Sequence, residues 1–325
     1  MSGLFTPFLF QSAVQAITPI LLASLAGVLC GRVGVFNLAL EGEMLIGAFA
    51  AVAGSYFSHS ALGGVAAAAA AAAAFSALLG FGATAFRGDA VVIGIGMNLF
   101  ASGLTAYLLR VVFGVSGTFS DPGVVGLGRI AVAPILGLPV LGWAFGRQSA
   151  LTWAAWALTA LIAVVLFRTP MGLRMRGVGE QPDAAETLGV DVARYRIMTV
   201  VLAGVLAGLA GAQLSLGAVS VFAEDMSGGR GWIAVVAVML GRNNPLFAAA
   251  ACVLFGFVDA LGIRLQSQGL PNQLTDVAPY VATLAVLVIS HRRRIQAAGA
   301  PAGVGATIRT ASAQSRRRGS RPSQG

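Results

Sequence analysis

The chain has no lysine: all 21 of its basic residues are arginine. A P-loop sets a lysine ammonium on the nucleotide phosphates, so this chain is not itself a Walker-type ATPase. Schiff-base and lysine-nucleophile chemistry are excluded with it. Charge of either sign is scarce, at 10% of 325 residues, against roughly 25% in soluble domains. Only two cysteines occur, Cys30 and Cys252, both in apolar segments. That is the setting of small packing residues, not of a disulfide or a metal site. The two histidines, His59 and His291, lie far apart with no ligand spacing. Paired histidines, a nucleophilic triad and metal spacing are all missing, so no enzyme site is expected. No cofactor of the chain's own is expected either. No basic residue precedes the first apolar run, so a secretory signal is not expected.

What the chain has is apolar length. It is 57% hydrophobic with 43 glycines, and small residues let membrane helices approach closely. The expected fold class is all-α, a polytopic membrane protein. Apolar runs at 12–30, up to Tyr56, 61–86, up to Phe113, 149–167, 197–216, 231–240, 246–264 and 276–290 predict about nine transmembrane helices, within 8–10. The run 231–240 is too short to cross alone, since a crossing takes about 20 residues. The alanine-rich stretch ending at Ala74 predicts a helix packed on protein, and Gly204, Gly208 and Gly211 predict a close helix contact. Residues 114–148, with Pro122, Pro134 and Pro139, read as an external loop with an interfacial segment near Trp143. Residues 12–290 are expected to form one membrane domain. Residues 295–325, rich in Gly, Ala, Ser and Arg, predict a disordered basic tail.

One polar run separates the spans at length, residues 168–196. It holds Arg168, Arg174, Arg176, Arg194 and Arg196 with Glu180, Asp183, Glu186 and Asp191. Such a segment lies in water or against another protein. Within it QPDAAETLGV predicts a short helix: Pro182 suits an early position, Asp183 and Glu186 suit the positive end, and Gly189 ends it. An exposed short helix of this kind is a handle by which a soluble partner can move the membrane part. The net charge of +9 does not indicate nucleic acid, because the arginines cluster at the ends of apolar runs and in the tail. They fix orientation among the membrane lipids instead. With the 168–196 loop and the C-terminus inside, sixteen of the 21 arginines are cytoplasmic and five (Arg110, Arg129, Arg147, Arg230 and Arg264) are not. The N-terminus is then outside and the C-terminus cytoplasmic.

Polar residues at membrane depth are the candidates for a substrate pathway: Asn37, Glu41, Asn98, Gln213 and Asp259. The stretch Asn37–Glu41 reads either as a broken helix whose backbone lines a cavity or as an interfacial turn with its carboxylates near Arg32. Asn98 either bonds a neighbouring helix or contacts cargo. Asp259 has Arg264 as its nearest partner along the same helix.

GRVGVFNLALEGEMLIGAFAA, GDAVVIGIGMNL and MRGVGEQPDAAETLGVDVARYR followed by AGVLAGLAGAQLSLG resemble the permease subunits of ATP-binding cassette (ABC) importers. The group is the branched-chain amino acid, ribose and simple-sugar permease family, and the nearest pattern is the shorter permease of bacterial nucleoside importers. The resemblance implies a type II-importer-like permease in the bacterial inner membrane, translocating a nucleoside or other simple-sugar solute by alternating access. It implies a cytoplasmic ABC ATPase that binds the ATP and magnesium, a second homologous permease making a heterodimer, and an extracytoplasmic solute-binding lipoprotein. It assigns ATPase coupling to the segment with Glu180, Pro182, Ala184, Ala185 and Gly189, the two alanines permitting close approach. The alternative from another class is a proton-coupled secondary transporter, with Glu41 and Asp259 as relays. Within the family, nucleoside, sugar and riboflavin-like cargoes stay open.

Overall fold

The long helices follow from composition: runs of Ala, Leu and Val with few interior polar residues, closed by Gly, Pro or capping residues. The computed structural model describes residues 7–131, 142 and 145–266. The elements in order are α1 (Pro7–Arg32), α2 (Leu40–Ser58), α3 (Ala61–Thr84) and α4 (Ala90–Phe113). Strands β1 (Thr118–Phe119), β2 (Arg129–Ala131) and β3 (Arg147–Ser149) follow, then α5 (Ala150–Arg168), α6 (Pro170–Glu180) and α7 (Pro182–Thr187). Last come α8 (Val192–Ala212), a π-helical turn (Gln213–Val219), β4 (Phe222–Ala223), α9 (Arg230–Leu240) and α10 (Pro245–Gln266). Six helices among the described residues are long and apolar enough to cross a membrane. The expected span 276–290 and the tail lie outside the described residues.

Helix α1 is the axis of the bundle. Ile20, Leu21, Leu22, Leu25 and Val28 are wholly buried. Around it pack α8, α9 and α10, with α2 and α3 on the far side of α8. The glycines of α8 do what their spacing predicts. A Cβ at Gly204 would meet Ser76 and Ala72 of α3, one at Gly208 would meet Ala68, and one at Gly211 would meet Met44 of α2. Gly47 of α2 faces Gly208 so closely that an added Cβ would stand 2.6 Å from its Cα. The alanine-rich α3 buries one stripe, Ala68, Ala72, Ser76 and Gly80, against α8, as expected of a helix that packs on protein.

Two small antiparallel pairs lie beyond the helices. β1 pairs with β4, and β2 pairs with β3. They qualify the all-α expectation without changing the class. The polar run 168–196 is largely helical, since α6 precedes the expected short helix. Thr169 caps α6, its hydroxyl accepting from Gly172 N at 3.2 Å, and Pro170 occupies the first turn. This helix was not expected, because Gly172, Gly177 and Gly179 lower its helix propensity.

Candidate functional site

The short run α9 holds the first part of the site. Eleven residues make a helix about 16 Å long, roughly half of the 30 Å hydrocarbon thickness. Its C-terminal turn lies beside the end of α1, where Arg32 Nε donates to Asn243 O at 2.6 Å. Its N-terminus therefore stands about 16 Å from that end, with orphan backbone N–H groups. Glu41 satisfies two of them: Gly229 N donates to its Oε1 at 2.8 Å and Gly231 N to its Oε2 at 2.7 Å. A carboxylate at a helix N-terminus is favoured by the aligned peptide dipoles as well. Gly229 has φ +82°, and a Cβ at Gly231 would stand 2.5 Å from Glu41 N. Both positions therefore need glycine.

The backbone ahead of Glu41 is irregular and partly buried, and several of its polar groups are paired. Val35 N donates to Cys30 O at 3.0 Å, and Ala39 N to Asn37 Oδ1 at 2.8 Å. Asn98 of α4 spans the break: its Nδ2 donates to Leu38 O and its Oδ1 accepts from Gly42 N, both at 2.8 Å. One helical turn on, Ser102 Oγ donates to Asp225 Oδ1 at 2.7 Å. Arg230, beside the capped glycines, pairs with Asp259 of α10 at 3.5 Å. Glu41, Asn98, Ser102, Arg230 and Asp259 are half-buried and Asp225 is exposed. Together they make one polar junction where α2, α4, α9 and α10 meet.

Three of the five expected pathway residues, Glu41, Asn98 and Asp259, are thus brought together. Two are not. Asn37 is buried and donates from Nδ2 to both oxygens of the fully buried Glu43, at 3.1 and 3.2 Å. Gln213, 1% exposed, accepts from Ser149 Oγ at 2.7 Å in a separate polar set with Thr152 and Thr18. Two expectations are corrected. Asp259 pairs with Arg230 on another helix, because the five-residue spacing to Arg264 does not align the two on one face. The carboxylates Glu41 and Glu43 do not sit with Arg32, whose guanidinium goes to Asn243 O and over the Phe167 ring at 5.2 Å. Sequence reading missed Ser102, Asp225 and Arg230 as members of the junction. The glycine-rich flank GGRG at 228–231 was the available signal, since it marks close backbone approach.

The second part of the site is α7 with its flanks. Pro182 opens α7, Asp183 lies in its first turn, and Gly189 closes it at φ +78°. Gly189 N donates to Glu186 O at 2.9 Å and Val190 N to Ala185 O at 3.0 Å. Glu180, Asp183, Ala184, Glu186 and Leu188 are exposed, Leu188 at 83%. Ala185 is buried against the helices behind it. Of the alanine pair, only Ala184 is open to an approaching partner; the expectation for Ala185 is corrected accordingly. The unit is anchored to the core. A Cβ at Gly179 would strike Arg32 O, and Arg196 Nε donates to Val33 O at 3.1 Å. Arg32 and Arg176 both lie over the Phe167 ring, at 5.2 and 5.6 Å. Through its neighbours α6 and α8, α7 is thus linked to the end of α1 and to the irregular stretch that leads to Glu41.

Six helices long and apolar enough to cross a membrane, a half-length helix capped by Glu41, and an exposed short helix between the spans are the architecture of a multi-pass membrane protein. The chain belongs to the family described as branched-chain amino acid transport system, permease component, whose model matches residues 8–287. It is 36% identical over 286 residues to the guanosine ABC transporter permease protein NupQ of Bacillus subtilis, covering 83% of this chain and 87% of that one. It is 35% identical over 284 residues to the nucleoside ABC transporter permease protein NupC of Lactococcus lactis, covering 84% and 88%. A Haloferax volcanii permease with a provisional glucose assignment, TsgC13, is 34% identical over 313 residues, covering 87% and 91%. A solved ABC transporter in an inward-facing conformation has the same fold, with a TM-score of 0.51 and 16% identity over 86% of this chain and 85% of that one.

Proposed function

We propose that this chain is the permease subunit of an ABC importer for a nucleoside or a similar ribose-containing or simple-sugar solute. The observation that carries the reading is the anchoring of α7: its exposed side offers Glu180, Asp183, Ala184 and Leu188, while Gly179 and Arg196 hold its base to the end of α1. An ATPase docked on α7 moves α1, and with it the Glu41 cap on α9. The polar junction then opens or closes to the solute as the ATPase closes and resets. ATP and magnesium belong to the ATPase, and the chain supplies no catalytic residue. The relatives NupQ and NupC are named for guanosine and nucleoside transport, which supports a nucleoside over other cargoes. The arginine bias supports an N-terminus outside and a cytoplasmic C-terminus, in an inner membrane crossed about nine times. A second permease completes the pathway by covering polar groups that this chain leaves half-buried. An extracytoplasmic binding lipoprotein delivers the solute.

Co-purification of tagged full-length chain in mild detergent tests this, with Glu180→Arg and Ala184→Arg alongside. The expected result is an ATPase and a second permease with the parent, and loss of the ATPase alone from both variants. Recovery of the parent without an ATPase overturns the reading.

A further inference from the structure

A cavity of about 860 Å³ opens between α6, the 188–191 turn and α8. Its lining divides by chemistry. Arg174 and Arg194 stand at its mouth, while Met171, Met198, Leu202 and Val205 line the remainder. Arg194, Met198 and Leu202 recur every fourth residue, so they form one stripe on α8, each step about 6 Å further along the helix axis. All three are exposed, Met198 at 58% and Leu202 at 48%.

The charge at the mouth is uncompensated. Among the described residues neither guanidinium has a carboxylate within 4.0 Å. Asp191, also at the mouth, is turned to the backbone and accepts from Arg194 N at 2.9 Å as the cap of α8. Arg174 Nη1 donates to the Tyr195 hydroxyl at 3.4 Å, a neutral partner. The apolar part belongs to the helical run Val192–Val219, which is long and apolar enough to cross a membrane. With that run placed in the membrane, a soluble protein reaches the mouth but not that part. A ligand that fills both must carry an anionic head on an apolar chain.

We propose that the cavity seats an anionic phospholipid of the cytoplasmic leaflet, its phosphate between Arg174 and Arg194 and an acyl chain along Met198 and Leu202. The proposal rests on the membrane placement under the proposed function. Because the 188–191 turn closes α7 and forms one wall, the seated lipid braces the base of the coupling unit. Juxtamembrane arginines are drawn to anionic headgroups, and basic pockets at this level bind them.

The test is lipid retention by the full-length chain in nanodiscs, with fluorescent phosphatidylglycerol and phosphatidylcholine as probes. Four forms are compared: parent, Arg174→Ala/Arg194→Ala, Met198→Trp/Leu202→Trp, and Arg87→Ala, an exposed arginine outside the cavity. The double arginine variant should retain phosphatidylglycerol on the order of tenfold less, with phosphatidylcholine unchanged. The tryptophan variant, which fills the apolar part with both arginines intact, should lose it too, and Arg87→Ala should match the parent. Equal retention in the double arginine variant and the parent overturns the proposal. So does displacement by glycerol phosphate as effective as by short-chain phosphatidylglycerol, which marks a phosphate site without a lipid. Loss of the second permease from the tryptophan variant with lipid retained also overturns it, since the stripe is then a subunit interface. ATPase co-purification from the same preparations reports on the proposed function separately.

Discussion

Glu41 and Gly231 are 190 positions apart in sequence, yet the Glu41 carboxylate accepts the Gly231 N–H at 2.7 Å. With the second bond, from Gly229 N at 2.8 Å, one side chain of α2 holds the free N-terminus of α9. The bond ties α2 to the N-terminus of α9 at the polar junction. Under the proposed function it lies on the route from an ATPase on α7 to the pathway.

Replacing Glu41 by Gln keeps one carbonyl acceptor and turns an amide N–H₂ toward the second backbone N–H. The lost charge-assisted bond costs about 2 kcal/mol. Glu41→Gln should lower the unfolding midpoint of the purified chain and reduce solute uptake, while the ATPase co-purifies as with the parent. Uptake and midpoint equal to the parent's would remove Glu41 from the route.

Glycine is required at 231 by contact and is dispensable at 96. A Cβ at Gly231 meets Glu41 N at 2.5 Å, whereas one at Gly96 meets nothing within 4 Å. Gly231→Ala should push α9 off its cap, with lower yield and uptake. Gly96→Ala should be neutral or stabilising by about 1 kcal/mol, the difference in helix propensity. Thermal unfolding of the pair in one detergent checks the contrast.

Arg230 and Asp259 form a partly buried pair, with side chains 25% and 19% exposed. A double-mutant cycle with Arg230→Gln and Asp259→Asn should give a positive coupling of about 1 kcal/mol, larger than a fully exposed pair yields. The charge swap Arg230→Asp/Asp259→Arg should recover part of the stability that either single reversal loses. Additive effects in the cycle would show that the two side chains do not interact.

Helix-forming content and small-residue packing were legible because each is written locally. The glycines at 204, 208 and 211 announce a close crossing, and the ten apolar residues at 231–240 announce a helix too short to span. The ending of α7 at Gly189 was legible for the same reason, a left-handed turn that suits glycine. The junction was legible only as a set of polar residues at depth. Its pairings join residues 98 and 42, 102 and 225, 41 and 231, and 230 and 259, and no local periodicity encodes such partners. Ala185 shows the same limit on a smaller scale. Composition makes it equivalent to Ala184, and only the packing of α7 on the core decides which of the two faces outward.

Uptake of guanosine into proteoliposomes holding the full-length chain with its ATPase, second permease and binding protein tests the proposed importer most directly. Internal ATP with no proton gradient should drive uptake, and Ala184→Arg should abolish it without loss of the membrane subunits. Uptake driven by a proton gradient in the absence of ATP, and unaffected by Ala184→Arg, would contradict an ATPase acting through α7 and favour the proton-coupled carrier.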